Sequence, residues 1–168
     1  MAFYTQISLE DVPRIIDAQR QLGFQTIVVG GPSIPAFDSV GAVLTESAIT
    51  ESSKHLGPDE RLFASVTISS RALGGAASAD EAQEITSTMA GWLDGLTAEE
   101  FDGVYLVIDW DRTDHQLPQN EIVLSNWMYI IHTLAEVNRK SVVVGYADLS
   151  AVLAMAAGAS GVATGWYL

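Results

Sequence analysis

The sequence contains no cysteine, which excludes disulfides and thiolate metal sites from the outset. Basic residues are scarce: eight Lys and Arg stand against 21 Asp and Glu, a formal charge of -13. A field of that sign repels phosphate backbones and anionic lipid surfaces, so nucleic acid is a poor default partner. No apolar run approaches the ~20 residues a membrane span requires, and Met-Ala-Phe-Tyr-Thr-Gln at the start lacks the basic region and long apolar core of a signal peptide. A soluble, cytoplasmic protein without membrane contact is expected. There is no Gly-x-Gly-x-x-Gly fingerprint, no Gly-x-x-x-x-Gly-Lys-Ser/Thr loop and no Ser-His-Asp or nucleophile-elbow pattern.

What is present fits one α/β domain over residues 1–168. Hydrophobic residues make up 48% and charged residues 17%, which is apolar for a small monomer. Part of that surface is therefore expected to be buried in a homo-oligomer or against another chain or segment that completes the fold. Runs of β-branched residues without alternation mark strands at Thr26 to Gly31, Leu62 to Ser69, Gly103 to Asp109, Ser141 to Tyr146 and Gly161 to Gly165, with a shorter one at Phe3 to Ile7. Such runs predict strands buried on both faces, as in a parallel sheet covered by helices.

Helical spacing fills the intervals. Ser8 caps a helix through Val12, Ile15, Ile16 and Leu22 that Gly23 ends, and Asp38-Ser39 opens another through Val43, Leu44 and Ile49 that Gly57-Pro58 stops. Ser78-Ala-Asp-Glu81 has capping-box spacing before Ile85, Met89, Trp92 and Leu93, and Thr97 to Glu100 adds a further turn. A long helix follows Pro118 with Val123, Trp127, Ile130, Ile131 and Leu134, and a short one spans Leu149 to Ala157. Strict alternation of strand and helix predicts right-handed crossovers and a parallel sheet. Length favours a doubly wound, flavodoxin-like open sheet, because a complete eight-stranded barrel usually needs ~200 residues or more.

The C-terminal stretch points the other way. Tyr146-Ala-Asp148, the short helix, Gly158-Ala-Ser-Gly161 and Val162-Ala-Thr-Gly165 resemble the last two strands of a (β/α)8 TIM barrel of the flavin- or phosphate-binding kind and, more loosely, the barrel of tRNA-guanine transglycosylases. The resemblance spans Lys140 to Leu168; elsewhere it is alternation alone. It implies an incomplete TIM-type barrel, the chain being part of a longer one or completed by a neighbour. It also implies a flavin or phosphate-bearing ligand held by amides between Gly158 and Gly165.

In both architectures the site lies at the carboxyl ends of the strands. The expected ligand-binding residues are Gly30, Gly31, Ser69, Arg71, Tyr146, Asp148, Thr164 and Gly165. Asp109 and Asp111 form the candidate catalytic pair: two nearby carboxylates divide into acid and base because repulsion raises one pKa, or hold a divalent cation through oxygen ligands. The plainer alternative makes them solvated loop residues, with Asp111 paired to Arg112 and Thr113 or Asp114 capping the next helix. Arg71 suits a phosphate or carboxylate through its planar fork, or balances surface charge. Gly30-Gly31-Pro32 suits an anion cradle or a plain turn. Asp148 orients a polar ligand with Tyr146 or caps the helix at Leu149. Trp110 and Trp166 suit stacking on a ring-shaped ligand. His55 and His132 have no companion at ligand spacing, and no metal site is assigned.

Two functions follow. The first is a barrel-type enzyme that binds a small phosphorylated or ring-containing molecule at the strand ends. The second is a noncatalytic α/β subunit or scaffold docking through its apolar C-terminus.

Overall fold

The computed structural model describes residues 8–74, 78–110, 120–147 and 150–163. In order, these form α1 (Val12–Gln21), β1 (Thr26–Gly30), α2 (Val40–Ser53), β2 (Arg61–Ser69), α3 (Ala79–Ala98), β3 (Gly103–Asp109), α4 (Glu121–His132), β4 (Ser141–Gly145), α5 (Ala151–Ala156) and β5 (Gly161–Ala163). The expected strand at Phe3 to Ile7 lies outside the described residues.

Local chemistry sets the helix boundaries. Ser8 and Asp11 form a capping box around a single 3-10 turn, Leu9–Asp11, and Pro13 sits in the first turn of α1. Ser78 and Glu81 do the same for α3, the Ser78 N–H donating to the Glu81 carboxylate at 2.7 Å. That helix runs unbroken to Ala98, so the further turn expected over Thr97 to Glu100 stops at Ala98, with Glu99 already extended. The cap of α4 corrects the expectation at Thr113 or Asp114. Asn120 fills the role, its side-chain oxygen accepting from the N–H groups of Ile122 and Val123 at 2.9 and 3.2 Å. Beyond His132 the chain widens into a π-helical turn, Thr133–Val137, where the Asn138 N–H reaches back five residues to the Thr133 carbonyl. Left-handed Arg139, φ 58°, then steers the chain into β4.

The sheet is wholly parallel, and its strands lie in chain order, β1-β2-β3-β4-β5. Every crossover steps one strand in the same direction. With right-handed connections, all the helices fall on one face. They form one layer, each helix packed beside the next. Rows across the covered face are apolar and buried: Val29, Ala64, Val104 and Val142 in one, Val66, Leu106 and Val144 in the next, Ile34, Ile68 and Ile108 in the third. Each fully buried Val, Leu or Ile contributes roughly 1.5–3 kcal/mol, so these rows dominate the attachment of helices to sheet.

The alternate residues are not covered in this way, which corrects the expectation of strands buried on both faces. Burial alternates along β1 and β2, and Val28 on β1 is 39% exposed. One helical layer can cover only one side of the sheet.

The amino-terminal pole is stitched by polar contacts. Arg20 on α1 donates through Nε and Nη2 to the two carboxylate oxygens of Glu60, both at 2.7 Å, and the Gly57 N–H also donates to Glu60. These donors, the guanidinium first, hold the Glu60 carboxyl down to about 2. Lys140 donates to the Phe101 carbonyl at 2.7 Å and stands over the Phe101 ring.

Candidate functional site

All five described strands point their carboxyl ends toward one rim, which gathers Gly30, Gly31, Ser69, Asp109 and Tyr146, five of the ten expected residues. Gly30 closes β1, Ser69 closes β2, Asp109 closes β3, and Tyr146 follows β4. Ser69 and Asp109 are register partners, and the Ser70 N–H donates to the Asp109 carbonyl at 3.0 Å. Their side chains therefore stand side by side on the open face. Asp109 is exposed, and its carboxylate has no hydrogen-bond or ion-pair partner among the described residues. Asp111, Asp148, Thr164, Gly165 and Trp166 lie outside the described residues.

The glycines at the end of β1 are explained by packing. A Cβ on Gly30 would meet the Ser65 carbonyl oxygen at 2.8 Å, and one on Gly31 would overlap Thr45 of α2. The chain passes through this gap to Ile34, which donates its N–H to the Thr67 carbonyl at 2.8 Å and accepts from the Ser69 N–H at 3.0 Å. The loop after β1 thus extends the sheet beside the end of β2.

Arg71 turns into a separate groove of about 420 Å³, with Asp38, Glu81, Glu84, Phe37 and Ile85 among its walls. Three carboxylates around one guanidinium oppose the approach of a further anion. Neither Ser69 nor Asp109 lines this groove. The loop carrying Arg71 is anchored from behind. Buried Asn126 on α4 donates to the Leu73 carbonyl at 3.2 Å, and Thr86 of α3 donates to the Asn126 side-chain oxygen at 3.3 Å. Trp110 packs edge-on against Trp127 of α4, ring centroids 6.1 Å apart, and so belongs partly to the helical layer.

Tyr146 has φ 55° and is 48% exposed. A bulky residue in the left-handed region costs about 1–3 kcal/mol and persists where surrounding structure enforces it; such residues cluster at functional sites.

The open face holds residues that sequence reasoning passed over. One row carries Ser65, Tyr105 and Val143, and the next Thr67, Val107, Gly145 and Ala163. Phe63 lies across Gly103 and Tyr105 across Gly145, since a Cβ at either glycine would fall 2.5 Å from the ring carbon Cζ of Phe63 or from the Tyr105 hydroxyl. The two glycines make room for two aromatic rings lying along the sheet. The signal in the sequence was the period-two recurrence of polar Ser65, Thr67 and Ser69 on one side of a strand.

No family model, no curated protein and no solved structure matches the chain. Among the described residues no helix is long and apolar enough to cross a membrane, and no group of three or more His, Asp or Glu side chains stands ready for a metal ion.

Proposed function

We propose that this chain is a barrel-type enzyme or enzyme domain. It binds a small phosphorylated or ring-containing ligand at the carboxyl ends of its strands, and Asp109 carries the proton transfer. The observation that carries this reading is the unbroken order of the described strands, with the described helices each packed beside the next in one layer. A doubly wound sheet reverses its order at a switch point and has helices on both sides, whereas strands of a barrel follow one another and keep an inner face free of helices. The open face would then be the barrel interior, and the rim with Asp109, Ser69 and Tyr146 its ligand-binding end.

The chemistry of the rim supports the same reading. Asp109 is an exposed carboxylate at a strand end, its register partner is Ser69, and Tyr105 stands four residues before it on the same face. The test is ligand-observed NMR of the purified chain with two sets of small molecules, phosphorylated and ring-containing, repeated on Asp109→Asn. Binding that weakens in the variant while its near-UV spectrum stays native is the expected result. Binding indifferent to Asp109 removes that residue from the site.

The second reading is a noncatalytic subunit or scaffold docking through its apolar C-terminus, of which residues 164–168 lie outside the described ones; Val28 and Val143 add apolar surface on the open face. Sedimentation separates the two: a monomer that binds small molecules supports the enzyme, and an oligomer that binds none supports the scaffold.

A further inference from the structure

We propose that the groove beside Arg71 is a second binding site and that it takes a small organic cation, a protonated amine carried on an apolar body. The groove is separate from the rim around Asp109, so the outcome at one leaves the other standing.

The cavity measures about 420 Å³, within the span of small-molecule pockets. Its walls come from three parts of the chain: Pro35, Ala36 and Phe37 after β1, Ala72 after β2, and Ile85 and Thr88 on α3. All but Thr88 are apolar, and the Thr88 hydroxyl is already satisfied by the Glu84 carbonyl of its own helix, to which it donates at 2.9 Å.

The walls are fixed without a ligand. Phe37 is buried and tilts against the Trp92 ring, centroids 5.1 Å apart. The Ala72 N–H donates to the Ser69 hydroxyl oxygen at 3.2 Å, and the Gly74 N–H closes a turn on the Arg71 carbonyl at 3.0 Å. A preformed groove spares a ligand the ordering of its site.

Charge names the ligand. Asp38, Glu81 and Glu84 stand against the single guanidinium of Arg71. Among the described residues the side chains of Asp38, Glu84 and Arg71 make no ion pair or hydrogen bond, so Asp38 and Glu84 lack a counter-ion. The first turn of α3 would itself favour an anion, but Glu81 answers it, accepting from the Ser78 N–H and hydroxyl, both at 2.7 Å. The unpaired charge calls for a cation, and the net charge of -13 draws cations toward the protein. A metal ion needs several oxygens converging at about 2.0–2.6 Å. These carboxylates do not converge: no described group of three or more His, Asp or Glu could hold a metal. An ammonium on an apolar body uses both features, its body against Phe37, Ala72 and Ile85 and its charge beside Asp38 and Glu84.

The experiment titrates the full, isotope-labelled chain with benzylamine, and with benzyl alcohol and benzoate, which keep the ring and change the charge. Amide signals of Ala72 and Ile85 report the groove. Expected are saturable shifts with benzylamine, weaker binding of benzyl alcohol and none of benzoate. Glu84→Gln should weaken benzylamine binding roughly two- to fivefold and Arg71→Gln should tighten it by a similar factor, one removing an attracting charge and the other a repelling one. Both side chains are exposed and unpaired, so the variants keep the fold, and a general loss of structure would not give effects of opposite sign. Benzyl alcohol or benzoate binding as tightly as benzylamine, variants that both weaken it or both leave it unchanged, or silence of the two signals overturns the proposal. The peptide Gly-Lys-Gly separates the remaining source of an ammonium: if it binds more tightly than benzylamine, the groove serves a protein partner's lysine and the small-molecule assignment is wrong.

Discussion

Gly145→Ala probes the open face at its most crowded point. The new methyl carbon would stand 2.5 Å from the Tyr105 hydroxyl oxygen, 2.8 Å from its Cζ and 3.1 Å from Val107 Cγ2. The two shortest contacts are to the far end of one side chain, whose ring can swing away from the sheet. The cost is thus at the low end for overpacking, about 1–2 kcal/mol. Alanine recovers ~0.5–1 kcal/mol over glycine by restricting the unfolded chain. The net loss is about 1 kcal/mol or less, which lowers Tm by roughly 2–4 °C for a domain of this size. In a Tyr105→Ala background the obstacle is gone, so the same change becomes neutral or stabilising, and the double-mutant cycle yields a coupling of about 1–2 kcal/mol. Gly103→Ala provides the contrast. Its methyl would meet the backbone carbonyl oxygen of Ser141 at 2.5 Å as well as the Phe63 ring, and a carbonyl in the ladder cannot swing away. Phe63→Ala should therefore relieve only part of that cost. Urea unfolding followed by circular dichroism reads all these values. Equal cost of Gly145→Ala with and without the Tyr105 ring would refute the placement of that ring.

Asn126→Ala should cost about 1–3 kcal/mol in the same assay, because it leaves the buried Leu73 carbonyl without its donor; a loss below a few tenths would mean that water replaces the amide. The fork between Arg20 and Glu60 predicts an acid-side dependence. With the Glu60 carboxyl held at about 2 against an ordinary 4.5, its stabilising contribution is complete above 4.5 and disappears as the pH falls toward 2. The stability gap between the native chain and Glu60→Gln should close over that window, and a gap independent of pH would contradict the pairing.

Much of the architecture was legible because it is written in local chemistry. Ser8 and Ser78 announce helix starts through hydroxyls that satisfy free N–H groups, and Gly23 and Gly158 adopt the left-handed backbone that ends a helix. Five of the strands emerged from their β-branched runs, and Asp109 reached the rim because a strand's last residue must lie there when all strands are parallel. Which faces are covered was not legible. Val142, Val143 and Val144 are the same residue, yet Val142 and Val144 are buried beneath helices and Val143 faces the open side. Only strand order decides this, and order is a long-range property. Arg71 illustrates the same limit: its sequence position puts it after β2, but the start of α3 and the Asp38 loop determine the groove it enters. Asn120 displaced Thr113 and Asp114 as a cap because Pro118 marks the helix start only to within a turn.

The absence of cysteine allows the open face to be tested directly. Single cysteines at Thr67 and Val143 on the open face, and at Ala64 and Val144 on the covered face, report accessibility through their rates of reaction with a small thiol reagent under native conditions. Thiols at the half-buried positions 67 and 143 should react directly, whereas those at 64 and 144 should react only through opening of the helical layer, orders of magnitude more slowly. Equal protection at all four positions would mean that both faces are covered, contradicting the one-sided sheet and the ligand surface proposed on it.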